Sequence, residues 1–225
     1  MLMCPGGAGR GRGMIISVAT TKGGPGKTTV AMCLADFWRR QNVSVECLDS
    51  DPNKNLTTWL GSGGKITCTA VGEDDVVDEA TRAAEQSEVV IIDVAGSLAR
   101  ALVYAISVSD FVLIPARPDA KDVIEASRTA QHVQASIKGA RKFNPNANIP
   151  FAALLTQVNP RARVTAHSRD QLTLLGVPVL QAEVTMRTAY QQASYGGSPL
   201  DDGAVMSDIT AVVAELMETV DGTSA

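Results

Sequence analysis

The chain has 225 residues, of which 45% are apolar and 20% charged, enough to bury the core of one ordinary domain and too apolar for wholesale disorder. The formal charge of −4 excludes attraction to nucleic acid through overall charge, though not through a local basic patch, and no apolar run is long enough to span a bilayer. Cys4, Cys33, Cys47 and Cys68 form no CxxC pair and stand far from His132 and His167, which excludes the usual zinc patterns and fits a reducing cytoplasm.

Residues 1–13, MLMCPGGAGRGRG, carry too few apolar side chains for a core and are expected to form a disordered extension; no apolar stretch follows their positive charge as a secretion signal requires. A single domain is expected over 14–222. MIISVA (14–19) is a short apolar run feeding a Gly-rich loop, which predicts a buried strand. Helical spacing follows over 27–41, with Val30, Leu34, Phe37 and Trp38 on one side. VSVECLD (43–49) reads as a second strand, ITCTAV (66–71) as a weaker third, and 73–87 as an acidic helix. EVVIIDVA (88–95) is a strongly apolar strand ending near Asp93. A helix over 98–108, a strand over 111–116, a long helix over 119–142 and a buried strand over 149–158 come next. A helix over 164–175, a short strand over 177–181 and a last helix over 203–220 complete the series. Strands that alternate with helices and are apolar throughout predict an α/β fold: a mostly parallel twisted sheet with helices on both faces. Ligands in such folds sit at the carboxyl ends of the strands.

The strongest motif lies at one such end: Thr21, Lys22, Gly23, Gly24, Pro25, Gly26, Lys27, Thr28 and Thr29, between a predicted strand and helix. Glycines let backbone amides turn inward around phosphate oxygens, and the helix start adds its positive end. Lys27 is placed to reach the terminal phosphates and the Thr28 hydroxyl to ligate magnesium, as in a P-loop NTPase. The strict motif has Gly where Thr21 stands, and a second lysine, Lys22, precedes the glycines. Two like charges in one loop need a reason. Two phosphate groups with a metal supply one; a dimer in which Lys22 crosses to the partner's nucleotide supplies another.

KGGPGKTT resembles the deviant Walker A motif, KGGxGKT[TS], of the ParA/MinD group of P-loop ATPases. The resemblance implies ATP and Mg2+ as cofactors and makes Lys22 the signature lysine that reaches the other subunit's nucleotide in an ATP-bound homodimer. Pro25 stands at the motif's variable position.

Asp49 and Asp51, in DSDP, follow the second strand. A carboxylate there faces the phosphates, either orienting a water for in-line attack or holding a water of the magnesium shell; the alternative is an Asp-Pro turn that merely ends a strand. The family has D-x-D-P-Q here, so the resemblance makes Asp51 the residue of water activation, with Asn53 replacing the usual Gln. Asp93, after VVII, has the Walker B arrangement and is expected at magnesium with Thr28 and Asp49. Val94 to Leu98 resemble the D-x-A-G-S-L stretch of small ParF-like (type Ib) ATPases, where Gly96 would give a switch loop freedom to move. Ser109 to Pro115, then Pro118 and Asp122, follow the family's S-D-x-V-[IL]-I-P run. Thr156 and Gln157 end a later strand; by position they address the adenine base, and ordinary loop polarity is the alternative.

Charge is uneven. Residues 73–93 hold eight acids against Arg82, whereas 117–187 hold ten bases and five acids. Arg161, Arg163 and Arg169 cluster, and Arg187 lies further on, a pattern suited to sequence-blind, salt-sensitive contact with DNA phosphates, or simply to solvated helix faces. The family's C-terminal basic patch binds DNA non-specifically. The last helix has an apolar stripe and acids but no Lys or Arg, unlike the basic membrane-targeting helix of MinD-like proteins, so no membrane partner is expected. The resemblance therefore implies a cytoplasmic, nucleoid-associated ATPase that partitions plasmid or chromosomal DNA with a separate centromere-binding adaptor protein. A protein cargo is the nearer alternative, a metabolic P-loop enzyme the more distant one.

Overall fold

In the computed structural model the described residues are 11–61, 65–96, 99–193 and 195–222. Cys4 and residues 1–10 of the expected extension, and Ser97 and Leu98 of the D-x-A-G-S-L stretch, lie outside them. Seven strands form one parallel sheet in the order β3-β2-β4-β1-β5-β6-β7. They are β1 (Met14–Val18), β2 (Val45–Asp49), β3 (Thr67–Ala70), β4 (Val89–Asp93), β5 (Phe111–Ala116), β6 (Phe151–Val158) and β7 (Val179–Thr185). The central strands β4, β1 and β5 are buried along their whole length, as a sheet covered on both faces requires. Edge strand β7 alternates instead, and it runs to Thr185 rather than to the expected 181, because its polar outward residues hide half of it from a search for apolar runs.

Eight helices fill the connections among the described residues: α1 (Lys27–Arg40), α2 (Asn55–Gly61), α3 (Val76–Gln86), α4 (Ala99–Val108), α5 (Ala120–Ala140), α6 (Val164–Leu174), α7 (Thr188–Ala193) and α8 (Gly203–Gly222). Strand residues alternate between two cores. Met14, Ile16 and Val18 pack with α1 and α8, while Ile15, Val90 and Ile92 pack with α3, α4 and α5. The acidic last helix is thus a core element, with Val205, Ile209, Val212, Val213 and Leu216 fully buried. No helix among the described residues is long and apolar enough to cross a membrane.

Arg12 pairs with Asp110 at 2.9 Å, and the Gly13 amide donates to the Ala84 carbonyl. A Cβ at Gly13 would sit 2.0 Å from the Ser87 oxygen, so only glycine fits that approach. These last residues of the expected extension are therefore tied into the fold. Pro115 sits in an interior strand, yet it costs no ladder bond. β1 pairs with β5 only as far as Leu113, and the side on which Pro115 lacks its amide lies beyond the end of β1. There the chain leaves the sheet, with neighbours β4 and β5 connected in opposite directions, and this divergence opens a crevice at the carboxyl end of β1.

Candidate functional site

The loop from β1 to α1 fills that crevice. Gly24 and Gly26 have φ of 104° and 91°, the left-handed region that other residues avoid. Gly26 caps α1 without a side-chain hydrogen bond, and the first turn of the helix holds no acid, so its amides and positive end are available to an anion. Thr21, standing where the strict motif has glycine, is anchored to α5: its amide donates to Thr129 Oγ1 and its hydroxyl to Glu125 Oε2. Pro25 is buried, and its carbonyl accepts the Thr156 hydroxyl at 2.7 Å. Gln157, itself at φ 53°, reaches the Gly24 carbonyl at 3.4 Å. The two residues expected near the base thus bond to the loop, Thr156 buried in doing so, and both also line the cavity beside it.

Both lysines are engaged. Lys27 is buried, and its Nζ donates to the Lys22 carbonyl at 2.9 Å. Burial lowers its pKa, and the charges of Asp93 and Asp51 partly oppose that. Lys22 Nζ meets Asp122 Oδ1 at 3.0 Å. Asp122 is buried and also takes the Arg117 guanidinium at 2.8 Å. Burial would raise its pKa, but hydrogen bonds from Arg117 and Lys22 outweigh this and hold it at about 2. In the single chain Lys22 is thus folded back onto its own α5. The sequence shows Asp122 in a motif but not this pairing, which depends on α5 starting beside the loop.

The carboxylates divide the work. Thr28 Oγ1 donates to Asp93 Oδ2 at 2.7 Å, while Asp93 Oδ1 is buried and has no hydrogen-bond partner among the described residues. Burial first, then the charges of Asp49 and Asp51, raise the Asp93 pKa to about 7 against the pull of Thr28 and Lys27. An orphaned buried carboxylate oxygen beside a hydroxyl is a donor set that a magnesium ion fits, since this ion keeps most of its waters and needs few protein ligands. Asp49, expected at the same ion, has both oxygens engaged: Oδ1 accepts the Asp51 amide, and Oδ2 the amide and hydroxyl of Thr57. These bonds tie the end of β2 to the loop and to α2. Asp51 accepts from the Asn53 amide and side chain through Oδ1, and no hydrogen bond reaches Oδ2 among the described residues. Ser50 Oγ links the two strand ends, donating to the Asp93 carbonyl and accepting the Ala95 amide. A Cβ on Gly96 would lie 2.7 Å from the Lys22 carbonyl carbon. Glycine at 96 is therefore required by close approach, a reason beyond the loop freedom expected of it.

A cavity of about 400 Å3 continues from the loop along α1, between Gly26, Thr29, Gln157, Met186 and Tyr190. Of the four expected DNA-contacting arginines, Arg161 and Arg163 are exposed on the loop after β6, at the same end of the sheet as this cavity. Arg169 bonds the Leu180 carbonyl and pairs with Glu183, and Arg187 pairs with Asp208 at 3.4 Å. These two are paired within the fold, because β7 brings Glu183 to Arg169 on α6 and α8 brings Asp208 to Arg187 in the β7–α7 turn.

Residues 16–200 match the model of the CobQ/CobB/MinD/ParA nucleotide binding domain. "Protein ParA" of Rhizobium radiobacter is 31% identical over 191 residues, covering 82% of this chain and 84% of that protein. "Maintenance of carboxysome distribution protein A" of Halothiobacillus neapolitanus is 31% identical over 189 residues, with 81% and 84% covered. Among solved structures, an ATP complex of a Cyanothece McdA variant superposes with a TM-score of 0.71 at 16% identity, covering 94% of this chain and 96% of that one.

Proposed function

The chain belongs to the CobQ/CobB/MinD/ParA nucleotide-binding family, and on that premise we propose that it is a ParA-like partition ATPase whose ATP-closed dimer holds DNA. ATPase activity and the ATP–Mg2+ pair go with the family; closure, DNA and cargo are the proposal. One observation carries it: a single loop holds two lysines with separate partners, Lys27 at the Lys22 carbonyl in the field of Asp93 and Lys22 folded back onto Asp122 of α5.

Loop amides and the head of α1 bind the phosphates, and Lys27 moves its ammonium from the Lys22 carbonyl to them. Thr28 and Asp93 would hold the magnesium ion, whose chemistry is to neutralise charge on the phosphate oxygens. Asp51, with Oδ2 open, takes the hydrogen bond of the attacking water and orients it in line. Lys22 leaves Asp122 for the partner's nucleotide, so the same loop that binds ATP closes the dimer. Closure doubles Arg161 and Arg163 across the two protomers, which multiplies weak phosphate contacts by avidity. A centromere-binding adaptor is the partner implied for a DNA cargo. The equal identity to a carboxysome-distribution protein favours a protein cargo as the second reading, with the same ATP and DNA cycle.

The test is a gel shift of non-specific duplex DNA with ATP, ADP or no nucleotide. A shift confined to ATP and lost in Lys27→Ala is expected. DNA binding indifferent to nucleotide would overturn the proposal.

A further inference from the structure

Two thiols that the sequence keeps apart meet at the edge of the sheet. Cys47 of β2 and Cys68 of edge strand β3 are register partners. Both face the core packed with α1, Cys47 buried and Cys68 half-buried, and both are free. Cys68 Sγ lies 3.6 Å from Thr57 Oγ1. The Thr57 hydroxyl gives its own proton to Asp49, so the thiol is the donor in that contact. Asp49 in turn accepts the Asp51 amide. A chain of hydrogen bonds thus runs from the thiol pair to the loop that carries Asp51.

The spacing says what the pair can hold. Paired strands stand about 4.7–4.9 Å apart. A disulfide wants its Cβ atoms closer, at about 3.5–4.5 Å. A linear sulfur–metal–sulfur bridge, with bonds of about 2.3 Å as for zinc, spans about 4.6 Å and matches the strands. No group of three or more His, Cys, Asp or Glu side chains able to hold a metal occurs among the described residues, so tetrahedral zinc lacks its ligands. What fits is a soft ion content with two thiolates. Charge narrows the choice further. Each thiol gives up its proton on ligation, so a divalent ion leaves a neutral unit, whereas a monovalent ion leaves a negative one partly buried beside Asp49. Burial first, with the charges of Asp49, Asp93 and Glu46, pushes the Cys68 thiol up to about 11 and holds Cys47 well above its ordinary range. Peroxides, which need a thiolate, therefore react poorly here. A thiophilic cation displaces the protons itself, and the same carboxylates favour its approach.

We propose that Cys47 and Cys68 form a two-coordinate site for a soft divalent cation, entered from the β3 edge, and that filling it detaches Cys68 from Thr57. Ligation replaces the S–H proton, so Thr57 loses the donor that helps hold it on Asp49, and the Asp51 loop loosens.

The experiment titrates the whole chain, carrying Cys4→Ser to remove a competing thiol, with mercuric chloride as the probe. Native mass spectrometry and sulfur-to-mercury charge-transfer absorption are read in the presence of a monothiol competitor. One ion per chain is expected, with Cys47 and Cys68 both protected from a thiol reagent after denaturation. Cys68→Ser and Cys47→Ala should each lose the ion to the competitor, and Cys33→Ala should keep it. Retention in Cys68→Ser, dependence on Cys33, or an ion shared between two chains would overturn the site, as would a disulfide formed with no ion held. Thermal melts check the fold, and the half-buried Cys68→Ser decides alone if Cys47→Ala melts early. Loaded protein should hydrolyse ATP more slowly at unchanged ATP affinity, while Cys68→Ser treated alike keeps its rate. Turnover indifferent to loading would overturn the link to Thr57.

Discussion

Asp51 and Asp93 stand at neighbouring strand ends and differ in what surrounds them. Asp51 keeps one oxygen open, so Asp51→Ala should retain ATP binding and ATP-dependent dimerisation while turnover falls at least about a hundred-fold, within the range typical of a lost water-orienting group. Single-turnover kinetics alongside sedimentation would show it. Asp93 has its pKa raised to about 7 from 3.8. In the metal-free chain the folded state then holds a proton that the unfolded state releases between those values. Stability is full below the unfolded pKa and is lost as pH rises toward the folded one. Asp93→Asn should therefore melt higher than the parent at about pH 8 without magnesium, with the difference vanishing near about pH 4. Equal slopes of melting temperature against pH would refute this. The two lysines, Thr28 and the acids were legible in the sequence because a phosphate loop dictates residue types at fixed spacing. The fates of Arg169 and Arg187 were not, since their partners Glu183 and Asp208 lie 14 and 21 residues away along the chain.

At the scale of elements, the two short helices are what the pattern of apolar residues misses. α2 reads NLTTWLG, with β-branched threonines and a terminal glycine that give little intrinsic helicity. It forms because Leu56 is fully buried and because Thr57 donates twice to Asp49. α7 is only six residues, below the length at which periodicity is visible. α2 thus connects the carboxylate loop to the cavity wall at Trp59. Thr57→Val keeps the volume and the amide bond but removes the hydroxyl from Asp49 and Cys68. It should cost about 0.5–1.5 kcal/mol of stability. It should also slow hydrolysis more than it weakens ATP binding, because it loosens the loop that carries Asp51. Denaturant midpoints and turnover on one preparation would distinguish a local effect from a general one.

For the molecule as a whole, parallel topology separates the basic residues that the sequence grouped. Lys138 in the last turn of α5 and Arg141 and Lys142 just past it lie at the edge where strands begin, whereas Arg161 and Arg163 follow β6, at the edge that holds the phosphate loop. Arg161→Ala with Arg163→Ala should lower DNA affinity in the ATP state and flatten its salt dependence, with basal ATPase unchanged. DNA retained at equal salt would move the contact to the α5 end. The parallel sheet with helices on both faces was readable in advance, because continuous apolar strands alternating with helices admit few other arrangements, whereas the strand order came only with the structure. One small junction then has a large consequence. The Lys22 carbonyl accepts Lys27 and is crowded by Gly96, so a single peptide group is shared by the cation that must let go of it and the loop that leans on it. Loading the site frees that oxygen. An isotope-edited infrared band from residue 22 should shift when the protein is charged with fuel and return when the fuel is consumed, giving the cycle a clock that can be read without a label on any partner.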